Sequence, residues 1–522
     1  MASLPRQGVH ATSAPAAAIR WVLVAIAVAL AAAALITAIA RVAYPYDIDF
    51  VEDGMLMQAW RVAGGLPIYV APSAGFAPHV YMPLYTWLGG LLLAISGPSL
   101  APLRLVSLLA TLATASLVAL IGWRESRSAL IALVGGALYL AGYRIVGGWY
   151  DLARVDALFI ALTVAGLYAV IYWRRSAAGQ LAAALLLALA YLTKQNGLYF
   201  GVIAAGYLLV VEGRRGLLFM GAFAALVAVP TAALNIASQG WFSTYVFGIA
   251  FASPTEWQRA LYSLGSEVFG DMAILALLFV ALALISLAHH RRRVLHEQPW
   301  LLFIAAAIAA SVAGRASVGG ARNQLMQAYA LLCLTPALMW RELARSAPTG
   351  VQAKTGQSET SRWAKPALEL ALVAQFALTL VSPVGRLIEP APLQHFVPTA
   401  AMRHAGDQFV ADLTATPGDV LVMMHPYYAL KAGKQPAAQI QALWHARWRG
   451  RDPLPADLVA RIENREYAEI ISDESPYFET EPALTTLIDA NYIPLRQLSS
   501  QDAPATLNGL VVRPQTIYVP RP

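Results

Sequence analysis

Four carboxylates stand within seven residues directly after the first hydrophobic segment: Asp47, Asp49, Glu52 and Asp53. Their position places them at one surface of a membrane, next to apolar helices. A carboxylate so close to lipid is costly and is usually functional, because it can remove a proton or bind a ligand. An ordinary acidic loop on the outer face is the alternative interpretation. Other charged residues that gather on the same face farther along the chain favour a site.

The composition indicates a membrane protein. The 522 residues are 58% hydrophobic and only 13% charged, whereas a soluble domain carries about 25% charged residues. The single cysteine, Cys333, lies in an apolar run, which excludes an internal disulfide and a thiolate metal cluster. The net charge of +7 comes mostly from arginines that mark one side of the membrane, and we recognise no nucleic-acid-binding module.

Apolar segments predict a polytopic α-helical membrane domain over residues 20–382, preceded by a disordered cytoplasmic N-terminus over residues 1–19. Residues 21–40 have about the 20 residues that a span needs, whereas residues 83–95 are too short and are interpreted as interfacial or re-entrant. Ten further spans are predicted at residues 103–122, 128–146, 157–172, 181–192, 198–211, 217–236, 272–288, 300–314, 325–340 and 366–382. Every basic connector then lies on the side of the N-terminus, as the positive-inside rule requires. We therefore expect about eleven spans in the plasma (inner) membrane; a re-entrant pair at 181–192 and 198–211 is the alternative.

The two ends of this membrane domain differ in character. The first outer loop covers residues 42–82 and carries the acids, and a polar cytoplasmic linker is predicted over residues 341–365. From residue 383 onward the sequence alternates between polar and apolar residues. Strand-like runs at 419–424, 469–472 and 510–512 and helix-like runs at 399–413 and 483–490 predict a small extracytoplasmic α/β domain over residues 383–522.

Further charged residues collect on the outer face. Asp151, Arg154 and Asp156 follow one span, and Lys194 lies at the mouth of another. Such charges are tolerated near hydrocarbon when they meet one another or an ionic ligand. A local salt-bridge cluster, and a lysine that extends to the headgroups, are the alternative interpretations.

Two more features of the outer face are weaker. Arg315 and Arg322 flank a glycine-rich turn, which suits a phosphate or a plain interhelical loop. His425 follows a predicted strand and could face a site, although a structured loop of the predicted extracytoplasmic domain is the favoured interpretation. Acids facing cations at a membrane surface are what sugar transfer from a phospholipid carrier requires, because a carboxylate takes the acceptor's proton and cations stabilise the departing phosphate.

At these residues the chain resembles the C-type glycosyltransferase superfamily (GT-C), in particular bacterial protein mannosyltransferases and the aminoarabinose transferases of lipid A. The resemblance covers residues 20–240 and continues more loosely to residue 340. The matching pieces are the Glu52-Asp53 pair, Gly64-Gly65 with Pro67 and Tyr69, the stretch from Tyr81 to Tyr85, Arg104, Arg154-Val155-Asp156 and Thr193-Lys194-Gln195.

The resemblance implies a GT-C-like bundle and a single inverting displacement on a polyprenyl-phosphate sugar, with a first-loop acid as base. The family more often reads Asp-Glu, so the order Glu52-Asp53 leaves the base open, with Asp49 as a third candidate. The other roles that the resemblance implies are a second acidic site for the acceptor or a metal at Asp151 and Asp156, and phosphate contacts from Arg154, Lys194, Arg315 and Arg322. A divalent metal is used by some members of the superfamily and not by others, so no cofactor is predicted with certainty. The expected partners are the lipid-linked donor, membrane lipids and a lipid, glycan or protein acceptor.

A secondary transporter or a lipid flippase is the alternative function. A transporter is expected to carry charges near the bilayer midplane and broken helices in two matching halves. Here the apolar helices are nearly free of charge, Glu369 being an exception, and no halves match.

Overall fold

A computed structural model describes residues 14–345, 359–384, 387–390, 393–473 and 481–522. The predicted disorder of residues 1–13 and most of the predicted linker, residues 346–358, lie outside the described residues. Residues 14–19, which were expected to be disordered, instead belong to the first helix, Ala14–Val42. Their alanine-rich sequence has high helix propensity, and Pro15 lies in the first turn, where a proline is tolerated.

The membrane domain is a bundle of helices, most of them apolar. In chain order they are α1 Ala14–Val42, α2 Val51–Ala63, α3 Leu84–Ser96, α4 Leu100–Ser126, α5 Ala129–Ala141, α6 Asp156–Tyr172, α7 Ala177–Thr193, α8 Asn196–Glu212, α9 Gly216–Ala237, α10 Trp241–Ser243, α11 Trp257–Tyr262, α12 Ala273–His290, α13 Val294–Glu297, α14 Pro299–Ala316, α15 Met326–Leu332, α16 Thr335–Arg345 and α17 Glu359–Leu380. Two π-helical stretches, Thr244–Ile249 and Ser263–Asp271, adjoin α10 and α11. The predicted helical membrane protein is therefore confirmed.

The number of spans differs from the prediction. Within the described residues, four helical stretches are long and apolar enough to cross a membrane: Pro15–Val42, Leu100–Ser126, Asn196–Ala237 and Pro299–Ala316. A pair bent by 97° adds a fifth if it counts as one span. Other apolar helices have only 10–17 residues, shorter than the roughly 20 that a straight span needs. The count of about eleven is not confirmed, and α3 is as short as expected.

Charge inside the bundle is paired. Glu369 of α17 is fully buried, and Arg20 of α1 donates a hydrogen bond of 2.9 Å to it. The one acid that the sequence placed in a late span is therefore neutralised by the first helix, as a charge in an apolar setting must be.

The C-terminal region forms the expected small α/β domain. Its helices are α18 Ala400–Ala415, α19 Pro426–Lys431, α20 Ile440–Ala446, α21 Ala456–Glu463 and α22 Pro482–Asn491, and its strands are β1 Val381–Val384, β2 Leu387–Pro390, β3 Asp419–Val422, β4 Tyr467–Asp473, β5 Tyr492–Gln497 and β6 Pro514–Pro520. β1 and β2 pair as an antiparallel hairpin, and the other strands form a sheet in the order β3-β4-β6-β5. β3 and β4 are parallel, whereas β6 is antiparallel to both of its neighbours.

One predicted strand is wrong. Residues 510–512 lie in a loop, and the last strand begins at Pro514. The amides of Leu507 and Asn508 both donate to the carbonyl of Ile48, at 2.9 Å each, and the amide of Thr506 donates to that of Val512. Because these backbone groups serve the first outer loop and a local turn, they do not join a sheet ladder.

The C-terminal domain, which we call the outer domain after the side that the sequence predicts for it, packs on the predicted first outer loop through a shared hydrophobic cluster. Met55 and Leu56 of α2 belong to this cluster together with Leu421 of β3 and Tyr427 of α19. The hydroxyl of Tyr427 also donates to the carbonyl of Pro98 before α4. The packing therefore brings the carboxyl ends of β3 and β4 against the acidic start of α2.

Candidate active site

Glu52 is locked in place by an arginine from the bundle. Arg104 of α4 donates two hydrogen bonds to it, at 2.8 and 2.6 Å, and both side chains are fully buried. The amides of Ala153 and Ile48 donate to the same carboxylate at 2.7 and 2.8 Å. Burial alone would raise the pKa of Glu52, but the Arg104 guanidinium and these amides hold it below its usual value. Each oxygen of Glu52 thus accepts strong bonds, and the carboxylate is poorly suited to take a proton.

Arg104 connects this pair to the turn before α2. Its remaining donors reach the carbonyls of Arg41, Tyr44 and Tyr46 at 3.1, 2.6 and 2.7 Å. The Glu52–Arg104 pair therefore sets the path of the chain between α1 and α2 and explains why the acidic loop is ordered at this point.

Asp49 has a different environment. Its Oδ1 accepts hydrogen bonds from Arg154 at 2.7 Å and from the amide of Val51 at 3.2 Å. Among the described residues, none donates a hydrogen bond to its Oδ2. Burial raises the pKa of Asp49 to about 6 even though Arg154 opposes the shift. A carboxylate with one uncommitted oxygen and such a pKa can exchange a proton near neutral pH.

Arg154 begins a chain of alternating charges along the outer ends of the helices. It donates to the hydroxyl of Tyr81 at 2.8 Å and lies 3.9 Å from Asp156. Asp156 in turn accepts from Lys194 at 2.6 Å and from Asn323 at 3.0 Å. Oδ2 of Asp156 and Nε of Arg154 are buried and have no hydrogen-bond partner among the described residues. The structure therefore brings Asp49, Arg154, Asp156 and Lys194 together, four of the residues selected from the sequence.

Other selected residues lie apart from this chain. Asp151 is buried against Arg41, at 3.3 Å, and accepts a hydrogen bond from Tyr143 at 2.7 Å. It is thus engaged with α1 and with the segment that follows α5 rather than with Asp156. Arg315 pairs with Glu267 at 2.6 Å.

Arg322 is held by its own acid. Its side chain pairs with Asp271 at 3.1 Å and also donates to the carbonyl of Ile145. Like Arg315, it has a carboxylate partner in the π-helical stretch Ser263–Asp271. The assignment of these two arginines to a donor phosphate stays a prediction.

Asp53 faces the outer domain. Its Oδ2 accepts a hydrogen bond of 3.3 Å from the amide of Tyr427, and its Oδ1 is buried without a partner. Burial and the neighbouring Asp47 raise the pKa of Asp53 well above its usual value. His425 lies beside Asp47, with its Nδ1 at 2.8 Å from that carboxylate. Its other ring nitrogen, Nε2, lies 2.8 Å from a further acid, Asp473.

These four side chains come from two parts of the chain. His425 lies a short distance after the end of β3, and Asp473 is the last residue of β4. The carboxyl ends of these parallel neighbours lie at one edge of the sheet. One oxygen each from Asp47 and Asp53 and one ring nitrogen of His425 lie within 4.8 Å of one another, so that these residues could hold a metal ion.

A loop of the outer domain covers Asp49. Gly509 has a φ of +67°, and a Cβ at this position would lie 2.8 Å from Oδ2 of Asp49. Asn508 accepts a hydrogen bond from Arg41 and donates another to the carbonyl of Gly147. The uncommitted oxygen of Asp49 therefore lies under a backbone segment that only glycine fits without strain.

Sequence reasoning does not find Asp473 and Gly509 as parts of this site. For His425 it allows a role in a site, because the residue follows a predicted strand, but it favours a structured loop. Asp473 and Gly509 gave no separate signal, because their role depends on how the outer domain docks. Arg104 was noticed only through the family resemblance.

The structure is similar to solved structures of two membrane proteins. ArnT from Cupriavidus metallidurans bound to undecaprenyl phosphate matches with a TM-score of 0.57 and 13% identity, over 94% of this chain and 97% of that chain. The apo state of ArnT from Cupriavidus metallidurans matches with a TM-score of 0.55 and 14% identity, over 96% of this chain and 98% of that chain. A third match is the archaeal oligosaccharyltransferase AglB from Archaeoglobus fulgidus in complex with an inhibitory peptide and a dolichol-phosphate. Its TM-score is 0.50 and its identity 13%, over 91% of this chain and 72% of that chain.

No protein-family model and no curated protein sequence matches this chain. At 13–14% identity the structural similarity establishes the fold. Because the match to ArnT extends over nearly the whole of both chains, it includes the membrane bundle and the outer domain together. The expectation of a helical membrane bundle with a small C-terminal α/β domain is thereby confirmed, and the fold is similar to that of ArnT.

Proposed function

We propose that this protein is a membrane glycosyltransferase that moves a sugar from a polyprenyl-phosphate donor to an acceptor hydroxyl. The observation that carries the proposal is the pairing of Asp49 with Arg154 at 2.7 Å in the fold of an ArnT structure bound to undecaprenyl phosphate. A base and a cation at adjacent positions are what the reaction needs, because a proton leaves the acceptor while negative charge develops on the departing phosphate.

Asp49 is the best supported base among the three candidates. Glu52 accepts from Arg104 and from two amides, so protonation would weaken several charge-assisted hydrogen bonds at once. Asp53 faces His425 and Asp47 across the contact with the outer domain. Asp49 keeps Oδ2 free of described donors and is held in orientation through Oδ1 alone.

Arg154 and Lys194 are the cations that we assign to the carrier phosphate. Both are buried to the same degree, with 6% of their surface exposed, and both belong to the chain of charges that starts at Asp49. Tyr81, Asn323 and Gln324 supply neutral hydrogen-bonding groups beside them. In the reaction, Asp49 takes the proton of the acceptor hydroxyl as its oxygen attacks the anomeric carbon with inversion, and the phosphate leaves against Arg154 and Lys194.

The test separates the proposed transferase from a transporter. Purified protein is incubated with a panel of polyprenyl-phosphate sugars and candidate acceptors, and release of free polyprenyl phosphate is followed. The proposal expects release that depends on the acceptor. The opposite result is that no donor of the panel releases polyprenyl phosphate while a labelled lipid or solute crosses the membrane of proteoliposomes. That result would replace the proposed transferase function by a transport function.

A further inference from the structure

The contact between the first outer loop and the outer domain contains a buried charge imbalance. Asp47, Asp53 and Asp473 surround the single imidazole of His425, and all four are buried. Among the described residues, no lysine or arginine forms a salt bridge with any of these three carboxylates; Lys431 and Arg513 act on Asp53 and Asp473 only at longer range. Buried charges in proteins are paired or coordinate metals.

We propose that Asp47, Asp53 and His425 bind a divalent transition-metal ion, with Zn²⁺ as the reference ion, that fastens the first outer loop to the outer domain. The three donor atoms already lie within 4.8 Å of one another. Zn²⁺ holds such ligands at about 2.0–2.2 Å, which places tetrahedral neighbours about 3.4 Å apart, so side-chain shifts of about 1 Å are enough.

An unpartnered atom points to a ligand rather than to a closed hydrogen-bond network. Oδ1 of Asp53 is buried and accepts no hydrogen bond from any described residue. Asp53 has none of its surface exposed and lies beside Asp47, with which it would repel strongly if both were charged. A cation between them turns this repulsion into attraction and uses the free oxygen.

Asp473 has the position of an orienting carboxylate. It lies 2.8 Å from Nε2 of His425, whereas the ring's Nδ1 faces Asp47. A histidine that ligates a metal commonly donates its other N–H to a carboxylate, which fixes the tautomer and the ring orientation. The ligand set of one imidazole nitrogen and carboxylate oxygens suits Zn²⁺ or Mn²⁺ better than Mg²⁺ or Ca²⁺, which take oxygen ligands.

The ion connects two segments that the chain keeps far apart. Asp47 precedes α2 and Asp53 lies in its first turn, whereas His425 is 378 residues beyond Asp47. Bound metal would hold the start of α2, and with it the segment of Asp49, against the carboxyl edge of the sheet. The inference is independent of the proposed reaction, because it concerns docking of the outer domain and not a chemical step.

The test measures bound metal, not turnover. Full-length protein is purified in detergent without chelators, and its metal content is determined by inductively coupled plasma mass spectrometry. The wild type is expected to carry about one ion per chain. The metal content of Asp53→Asn and of His425→Gln is expected to be lower by at least roughly tenfold. His404→Gln, which changes an exposed histidine of the same domain, is the matched control and should keep the ion.

A second measurement covers variants that do not fold. Wild-type protein is stripped with EDTA, and Zn²⁺ is returned in competition with a coloured chelator while thermal unfolding is followed. Uptake of one ion with a rise in unfolding temperature supports the site. Wild-type protein that neither retains nor takes up Zn²⁺ or Mn²⁺, or an Asp53→Asn variant with unchanged uptake, overturns it and leaves a hydrogen-bonded Asp-His-Asp bridge.

Discussion

Two acid–arginine pairs start from the same short loop and differ in what surrounds them. Glu52 pairs with Arg104 and Asp49 with Arg154, in both cases with both partners buried. Both oxygens of Glu52 accept hydrogen bonds from the Arg104 guanidinium, and the carboxylate accepts further hydrogen bonds from backbone amides. Asp49 binds its arginine through one oxygen and keeps the other beneath Gly509. The comparison teaches that burial beside a cation does not by itself identify a base, because a carboxylate whose oxygens are both strongly bonded has little capacity to take up a proton.

The same difference separates a structural role from a chemical one. A buried carboxylate that receives several charge-assisted hydrogen bonds stabilises the fold and stays ionised. A buried carboxylate with fewer donors has a raised pKa and can take up a proton. Three residues of sequence separate the two cases here, so substitutions can test them against each other in one protein.

Glu52→Gln gives the largest expected loss of stability. The amide keeps the shape but leaves the Arg104 guanidinium as a buried unpaired charge, which costs about 3–5 kcal/mol. We expect a strongly reduced yield of folded protein and a lower unfolding temperature by fluorescence in detergent. Combining Glu52→Gln with Arg104→Met removes the unpaired charge and should recover part of the loss. Normal stability of the single variant would mean that the pair has no structural role.

Lys194→Gln is expected to weaken binding of the carrier and also to destabilise the fold, because it removes the 2.6 Å partner of the buried Asp156. Binding is therefore compared on folded protein. Removing one charged hydrogen bond to a phosphate costs about 1.5–3 kcal/mol, or roughly tenfold or more in affinity. Lys434→Gln is the matched control, because the Lys434 ammonium bonds only the carbonyls of Thr416 and Gly418 in the outer domain. Binding of polyprenyl phosphate is measured by tryptophan quenching. Equal affinity of the two variants would remove Lys194 from the phosphate site.

Gly509→Ala has the smallest expected effect on stability and tests the cover over Asp49. The left-handed backbone costs an alanine roughly 1 kcal/mol, and the new methyl group would press on Oδ2 of Asp49. Gly433→Ala is the matched control, since φ is +72° there and nothing lies within 4 Å of the new Cβ. Gly509→Ala should lose more stability than Gly433→Ala, because its methyl group would also lie 3.3 Å from the Trp149 ring, and only Gly509→Ala should lower turnover, several-fold. An equal effect on turnover would show that the contact with Asp49 is unimportant.

Local patterns predicted much of the fold. Long apolar runs predicted helices, and the alternation around residues 419–424 and 469–472 predicted β3 and β4. The failure at residues 510–512 has a physical cause: the neighbouring amides of Leu507 and Asn508 bond to Ile48, more than 450 residues away in the chain. No local pattern carries a contact at that separation.

The candidate site shows the same limit. The acids at Asp49, Glu52 and Asp53 could be predicted as a group because they lie close together in sequence. The separate environments of these acids could not be predicted from the sequence. Arg104 and Ala153 come from elsewhere in the bundle, and His425 comes from the outer domain. Type and spacing select candidates, but long-range packing decides which carboxylate is saturated.

The central claim is tested most directly by turnover per folded molecule in Asp49→Asn. The assay follows release of polyprenyl phosphate at saturating donor, on protein that elutes as a single species and still binds the carrier. Asp412→Asn, which alters a partly exposed acid of the outer domain, is the control. Loss of a general base predicts a fall of about 10²–10⁴-fold for Asp49→Asn and none for the control. Turnover within a few-fold of the wild type in Asp49→Asn would contradict the assignment of the base to Asp49.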